Sequence, residues 1–176
     1  MRWRFVLSKK AEVARNSKET RLRAGVDLDG SGRVKVATGL AFLDHMLDQV
    51  ARYGGFNLTL RGAGDVHVDP HHLVEDAGIV LGQALSQALG DRAGITRFAS
   101  AYAPLDEALA RVVIDLGKRP YLSYNVSLRG RLGDVIRGRN RHHIAEATFK
   151  ALGLALGQAM ASGGQAGIPS SKGLLG

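Results

Sequence analysis

Apolar residues recur along this chain in two rhythms. Three stretches repeat at helical spacing. In Leu40–Tyr53, residues Phe42, Leu43, Met46, Leu47 and Val50 share one face, and Gly54-Gly55 ends the run. From Pro70 to about Gly90, Leu73, Ala77, Val80, Leu81, Ala84, Leu85 and Ala88 do the same. A third run spans about 140 to Ala161. Between them lie segments of alternating character. Residues 2–15 predict an edge strand with a frayed start. Thr20–Leu28 and Arg33–Ala37 predict a hairpin around Asp29-Gly-Ser-Gly. Phe56–Leu60, Asp65–Val68, Ala101–Pro104, Ala108–Leu116 and Tyr121–Val126 predict further strands, with Gly117-Lys-Arg-Pro120 as a turn. Ile95–Phe98 is a short link carrying Arg97. Strands and helices alternate without regular βαβ spacing. The expected class is therefore α+β, with sheet on one side and helices packed on the other.

The second and third helices begin alike. Residues 142–160 align with 71–89 without a gap. The pairs His71/His142, His72/His143 and Glu75/Glu146 are identical, and so are Gly82/Gly153 and Gln87/Gln158. Asp69 and Asn140 stand at the same offset, each offering an N-cap oxygen, and Pro70 suits a first helical position that needs no N–H. Apolar matches between greasy helices mean little. A shared His-His-x-x-Glu at one cap offset is hard to reach by accident and points to an internal duplication. The expected organisation is one domain over 1–176, with half-repeats at about 11–92 and 93–162 and a Gly-rich tail at 163–176.

Composition narrows the classes. A chain of 176 residues with 45% hydrophobic content is ordinary for one globular domain or two fused half-domains. It has no cysteine, which excludes disulfides and zinc–thiolate sites and suits a reducing compartment, so a cytoplasmic location is expected. No stretch has the length of a membrane span, and the start lacks an apolar signal core. A net charge of +8 and a pI near 10.2 raise the question of nucleic acid. The basic residues are scattered, however, with denser patches only at Arg2–Lys10 and Arg129–Arg141, and no aromatic stacking patch accompanies them. Neither nucleic acid nor membrane is an expected partner. A phosphorylated small substrate fits the charge equally well.

The histidines carry the chemistry. All six lie at His45, His67, His71, His72, His142 and His143. Any one alone reads best as a surface or satisfied core residue. Two His-His-x-x-Glu turns together with Asp44-His45 reverse that balance. His71 and Glu75 are i,i+4, and His72 and Glu75 i,i+3, so each histidine can share a face with the carboxylate. Adjacent histidines diverge by roughly 100° around a helix, so the pair suits two ions, or an ion and a substrate. Imidazole with carboxylate suits Mn, Fe, Co, Ni or Zn. A cation at a helix N-terminus opposes the helix dipole, which Glu75, Glu146 and an anionic ligand must offset. His67 and Glu19 read as exposed, and Arg97 and Arg119 are unremarkable by themselves. Pro169-Ser-Ser-Lys-Gly173 offers hydroxyls, N–H groups and an ammonium, a phosphate-like cradle of weak specificity.

The chain resembles the imidazoleglycerol-phosphate dehydratase family. The matching motifs are Lys18-Glu-Thr20, Leu28-Asp-Gly30, Thr38-Gly with Phe42 through Gln49, and Asp69 through Gly78. They continue through Pro104-Leu-Asp-Glu-Ala-Leu109, Arg119-Pro-Tyr121, His142 through Lys150 and Pro169 through Gly173, in the family's order. The resemblance implies duplicated half-domains, each a mixed sheet packed against helices, similar to domain 2 of ribosomal protein S5. It implies a homo-oligomeric 24-subunit shell and two Mn2+ ions per site with ligands from neighbouring subunits. The implied reaction converts imidazole glycerol phosphate to imidazole acetol phosphate in histidine biosynthesis. His45, His71, His72, Glu75, His142, His143 and Glu146 are then the metal ligands or their near partners. Glu19, His45, His72, Glu75, His143 and Glu146 form the catalytic set, with Glu19 moving a proton. Glu19, His45, Arg97, Arg119, Lys150, Ser170, Ser171 and Lys172 meet the substrate, the arginines, serines and Lys172 at its phosphate.

Three departures stand out. Pro70 occupies a position that is usually Asp in the family, and Tyr53 one that is usually His. The largest is a gap. In the first half, 26 positions carry the chain from His45 to His71, through a helix and a strand. Only about 15 residues lie between Val126 and His142, too few for a strand, a helix and another strand. The second half is therefore truncated, and the counterpart of His45 is missing there. One metal is expected to be weakened unless water or His67 substitutes, and apolar surface on the first helix layer to lie open. An assembled metal-binding homologue with impaired catalysis is the alternative to an active dehydratase.

Overall fold

The computed structural model describes residues 9–126, 140–164 and 167–170. Four strands form one sheet: β1 (Lys10–Asn16), β2 (Thr20–Asp27), β3 (Val34–Ala37) and β4 (Asn57–Gly64), in the order β1-β2-β4-β3. Helix α1 (Ala41–Gly54) connects β3 to β4, and α2 (His71–Leu89) follows β4. A second sheet holds β5 (Phe98–Leu105) and β6 (Ala108–Asp115), and α3 (Arg141–Met160) packs on it. The expected α+β arrangement of sheets against helices is what the chain adopts.

The alternation of β2 explains its place. Thr20, Leu22, Ala24 and Val26 are buried while their neighbours face outward. Their side chains meet Leu58 and Leu60 of β4, Leu47, Val50 and Ala51 of α1, and Leu73, Ala77, Val80 and Ala84 of α2 in one core. A smaller core joins Ala103, Ala108 and Ala110 of the second sheet to Ile144, Ala147 and Ala151 of α3. Alanine on both sides lets helix and sheet approach closely.

The hairpin expected between Thr20–Leu28 and Arg33–Ala37 does not form. β2 pairs antiparallel with β1 on one side and β4 on the other, from Thr20↔Gly64 to Asp27↔Asn57. The four-residue β3 lies parallel to β4 instead, with α1 as the crossover that a parallel pair requires. β4 displaces β3 because it offers β2 a full eight-residue ladder. The Asp29-Gly-Ser-Gly turn is held by Asn57, whose Oδ1 accepts from the N–H groups of Ser31 (3.0 Å) and Arg33 (2.9 Å). Gly30 is required there, since a Cβ would lie 2.6 Å from the Asn57 nitrogen.

Two other expected strands are absent. Asp65–Val68 is a turn, closed by Val68 N–H donating to the Asp65 carbonyl at 2.7 Å. Val66 and Val68 alternate but are exposed, so alternation there reflects no burial. Tyr121–Val126 is irregular, with Tyr121 90% exposed. A strand needs a ladder partner, and none lies beside this segment among the described residues. The start of the predicted 2–15 strand and the basic stretch 127–139 lie outside the described residues. No described helix is long and apolar enough to cross a membrane.

Candidate functional site

Local sequence sets the start of α3. The Asn140 side chain accepts from the His142 N–H at 2.9 Å, the cap expected from the Asx position. The first turn then presents His142, His143 and Glu146. Glu146 is the meeting point. Its Oε2 lies 3.2 Å from His142 Nε2 and 3.3 Å from His45 Nε2, and its Oε1 lies 2.7 Å from the Lys150 ammonium. The hydrogen bond from Lys150, and after it the one from His45, holds the Glu146 carboxyl below the usual range, against the upward push of burial.

His45 reaches this cluster because α1 and α3 cross closely. A Cβ on Gly153 would lie 2.6 Å from the Val50 carbonyl oxygen, and one on Gly157 would lie 2.7 Å from that of Gly54. Only glycine permits this approach. The start of α1 is fixed by Asp44, which accepts from the Thr38 N–H (3.0 Å) and hydroxyl (2.6 Å). His45 and His142 rings stack with centroids 6.0 Å apart, and Phe42 adjoins His142. The ligand atoms of His45, His142 and Glu146 all lie within 4.8 Å of one another. Two imidazoles and an ionised carboxylate are a donor set for a borderline divalent cation.

The turn at α2 is built differently. Asp69 accepts from the His71 backbone N–H (2.8 Å) and faces its Nδ1 (2.9 Å). These bonds, the backbone one first, hold the Asp69 carboxyl low. Asp69 supplies the capping oxygen anticipated from sequence, but the helix begins at His71 with Pro70 at the N-cap, one residue later than expected. His72 Nδ1 faces both oxygens of Asp65, at 3.1 and 3.2 Å, and that hydrogen bond raises its pKa. Glu19 Oε1 stands 4.0 Å from His72 Nε2. Glu75 is exposed, and so is His67 in the preceding turn. His71, His72 and Glu75 belong to neither group of metal-competent side chains found among the described residues.

The second such group is Asp106, Glu107 and His143. Glu107 Oε2 lies 2.8 Å from His143 Nδ1, and this hydrogen bond raises the His143 pKa. Asp106 Oδ2 lies 3.6 Å from Nε2 of the same ring.

Sequence reasoning missed the support beneath Glu19. Asp76 is buried on α2 and accepts from the Thr20 hydroxyl and from Arg15 Nε (2.6 Å). Those bonds, Thr20 first, hold its carboxyl low. Ser17 Oγ accepts from the Glu19 N–H (3.1 Å) and Thr20 N–H (3.0 Å), and Asp65 N–H donates to the Glu19 carbonyl (3.0 Å). A signal was present: Asp76 falls between Leu73 and Val80 on the apolar face, where a carboxylate requires partners.

The expected phosphate residues are partly gathered. Arg97 makes a two-pronged bond to Asp115 (2.8 and 3.2 Å), which raises its pKa, and Nη1 donates to the Pro169 carbonyl at 2.7 Å. The Pro169-Ser170 segment therefore adjoins Arg97. Arg119 is exposed in the bend after β6, Lys150 sits on Glu146, and Ser171 and Lys172 lie outside the described residues.

A family model described as imidazoleglycerol-phosphate dehydratase matches residues 38–135. A curated protein of that name from Aromatoleum aromaticum is 50% identical over 194 residues, covering 95% of this chain and all of the relative. Another, from Bordetella avium, is 46% identical and covers 94% of this chain and 98% of its own length. Among solved structures, IGPD from Pyrococcus furiosus aligns with a TM-score of 0.77 at 32% identity, over 93% of this chain and 100% of its own. That from Staphylococcus aureus aligns with 0.71 at 34%, over 87% and 99%. The first match spans 194 residues against 176 here, so that relative carries residues this chain lacks.

Proposed function

Because this chain belongs to the imidazoleglycerol-phosphate dehydratase family, we propose that it removes water from imidazole glycerol phosphate, giving imidazole acetol phosphate for histidine biosynthesis. The observation that carries this reading is the single Glu146 carboxylate shared by His45 of α1 and His142 of α3. That donor set fits Mn2+, held by His45, His142 and Glu146, with His71, His72, Glu75 and His143 as further ligands. When bound, the ion supplies Lewis-acid withdrawal of charge from the substrate imidazole.

The chain's own groups do the rest. Glu19 is exposed and fixed by its backbone to Ser17 and Asp65, so its carboxylate can take the proton from the substrate carbon. The adjacent hydroxyl leaves as water with the proton that Glu19 took up, and the enol that remains becomes the ketone as its O–H proton moves to carbon. Arg97, pinned by Asp115, faces the phosphate with Ser170, and Arg119, Ser171 and Lys172 complete that grip. Lys150 keeps Glu146 ionised. Duplicated halves at about 11–92 and 93–162, a 24-subunit shell with ligands shared between subunits, and a cytoplasmic setting accompany this reading.

A direct assay for imidazole acetol phosphate in the presence of Mn2+ tests it. Turnover is expected, falling about 10²–10⁴-fold in Glu19→Gln. Full activity in that variant with its metal intact contradicts the role of Glu19. One observation favours a second reading, an assembled homologue with impaired catalysis. Gly82 of α2, the counterpart of Gly153, has nothing near its Cβ position, and among the described residues no further histidine joins His71 and Glu75 in a metal-competent group. Two ions per chain with turnover support the enzyme; one ion without turnover supports the impaired homologue.

A further inference from the structure

Helices α2 and α3 each carry a pair of histidines in the first turn, and in each pair the second ring faces a carboxylate from outside its own helix. Asp65 ends the β4 side of the turn before α2, and its two oxygens lie 3.1 and 3.2 Å from His72 Nδ1. Glu107 sits between β5 and β6, and its Oε2 lies 2.8 Å from His143 Nδ1. In both rings Nδ1 takes the closest contact, and His143 Nε2 also lies 3.3 Å from the Asn140 amide nitrogen, a donor that requires Nε2 to accept. The nearest carboxylate oxygen to Nε2 is farther: Glu19 at 4.0 Å from His72, Asp106 at 3.6 Å from His143.

We infer that Asp65 and Glu107 are positioning residues, each fixing the Nδ1–H tautomer and ring angle of its histidine so that Nε2 carries the lone pair toward the ion. A neutral imidazole has one donor and one acceptor nitrogen, and a carboxylate on Nδ1 decides which is which. The same bond makes Nε2 more basic and removes the entropy of ring rotation from the binding step. Both carboxylates are themselves held. The Asp65 backbone accepts from Val68 and Asp69 and donates to Glu19, so the residue that orients His72 also sets the chain at Glu19. Glu107 Oε1 accepts from the Asn140 N–H at 2.7 Å, which ties the His143 partner to the start of α3. Neither carboxylate need touch the ion.

The inference rests on the reading that His72 and His143 ligate Mn2+, but its first test does not use metal. Long-range 1H–15N spectra of metal-free protein labelled at histidine, at mildly alkaline pH, report each tautomer. His72 and His143 are expected as Nδ1–H forms. Asp65→Ala should release only His72, and Glu107→Ala only His143. Asp65→Asn and Glu107→Gln keep an acceptor oxygen and should restore the tautomer in part. Titration with Mn2+ should show affinity about 10–100-fold weaker in each alanine variant. Unchanged tautomers and affinity in all four variants, with wild-type protein taking up Mn2+ normally, overturn this inference alone. Wild-type protein that takes up no Mn2+ overturns the proposed function together with it.

Discussion

The first turns of α2 and α3 carry the same His-His-x-x-Glu pattern, yet one is enclosed and the other open. At α3, Glu146 is gathered among His142, His45 and Lys150, and α1 lies across the helix at Gly153 and Gly157. At α2, Glu75 is exposed, His71 turns to its own cap Asp69, and Gly78 and Gly82 face open space. Val74 and Ile79 beside them are exposed. The pattern supplies the donors, but a second helix must deliver the third ligand. Among the described residues the one helix so placed, α1, lies across α3. The segment that would carry its counterpart is the one that the spacing between Val126 and His142 is too short to hold. Identical ligand motifs therefore predict unequal sites.

The largest effect should come from the shared carboxylate. Glu146→Gln is expected to abolish the tighter Mn2+ site and lower turnover by about 10³-fold, the equivalent of several kcal/mol of lost charge stabilisation. Glu75→Gln should leave the tighter site intact in the same titration. Equal losses would erase the asymmetry.

Next comes the helix crossing. Gly153→Ala forces a methyl against the Val50 carbonyl and should cost about 1–3 kcal/mol in denaturant unfolding while moving His45 from Glu146. Gly82→Ala, at the matching position, meets nothing and should stabilise by about 0.5–1 kcal/mol. Opposite signs for one substitution at equivalent places would sharpen the comparison most.

The Asp76 carboxylate held by Thr20 and Arg15 has no counterpart on α3, where Ala147 takes its position. Thr20→Val removes the hydroxyl that bonds Asp76 and should cost about 1 kcal/mol, with a fall in kcat and little change in Mn2+ affinity. The smallest effect is in acid. The Asp76 carboxyl is held below its unfolded value of about 3.9. Its contribution to stability is therefore present above that value and lost as pH falls through the lower, folded value. Asp76→Asn should flatten stability against pH in that acid window and nowhere else.

What could be read from the residues alone was mostly local. Asp69 and Asn140 were legible as caps because a cap depends on a few adjacent residues. The partner of β3 was not, because a Gly-rich turn looks the same whether the next strand folds back or crosses over through α1. Val66 and Val68 alternate without a sheet to lie on, and Tyr121–Val126 is strand-like without a ladder partner among the described residues. The histidine clusters were visible, and so was the shortened second half. That His45 would meet Glu146 rather than Glu75 was not visible, since it depends on which helix α1 crosses. The proton-transfer role of Glu19 came only through family resemblance, and its place 4.0 Å from His72 was not foreseen. The buried Asp76 that supports it could have been found from its position on an apolar helix face.

The unequal sites should be visible by diffraction at the manganese absorption edge from crystals grown with Mn2+. A strong anomalous peak is expected between His45 Nε2, His142 Nε2 and the Glu146 carboxylate, with a weaker peak at His71 and Glu75. No peak between His45 and Glu146, or a stronger one at α2 than at α3, would contradict that inequality.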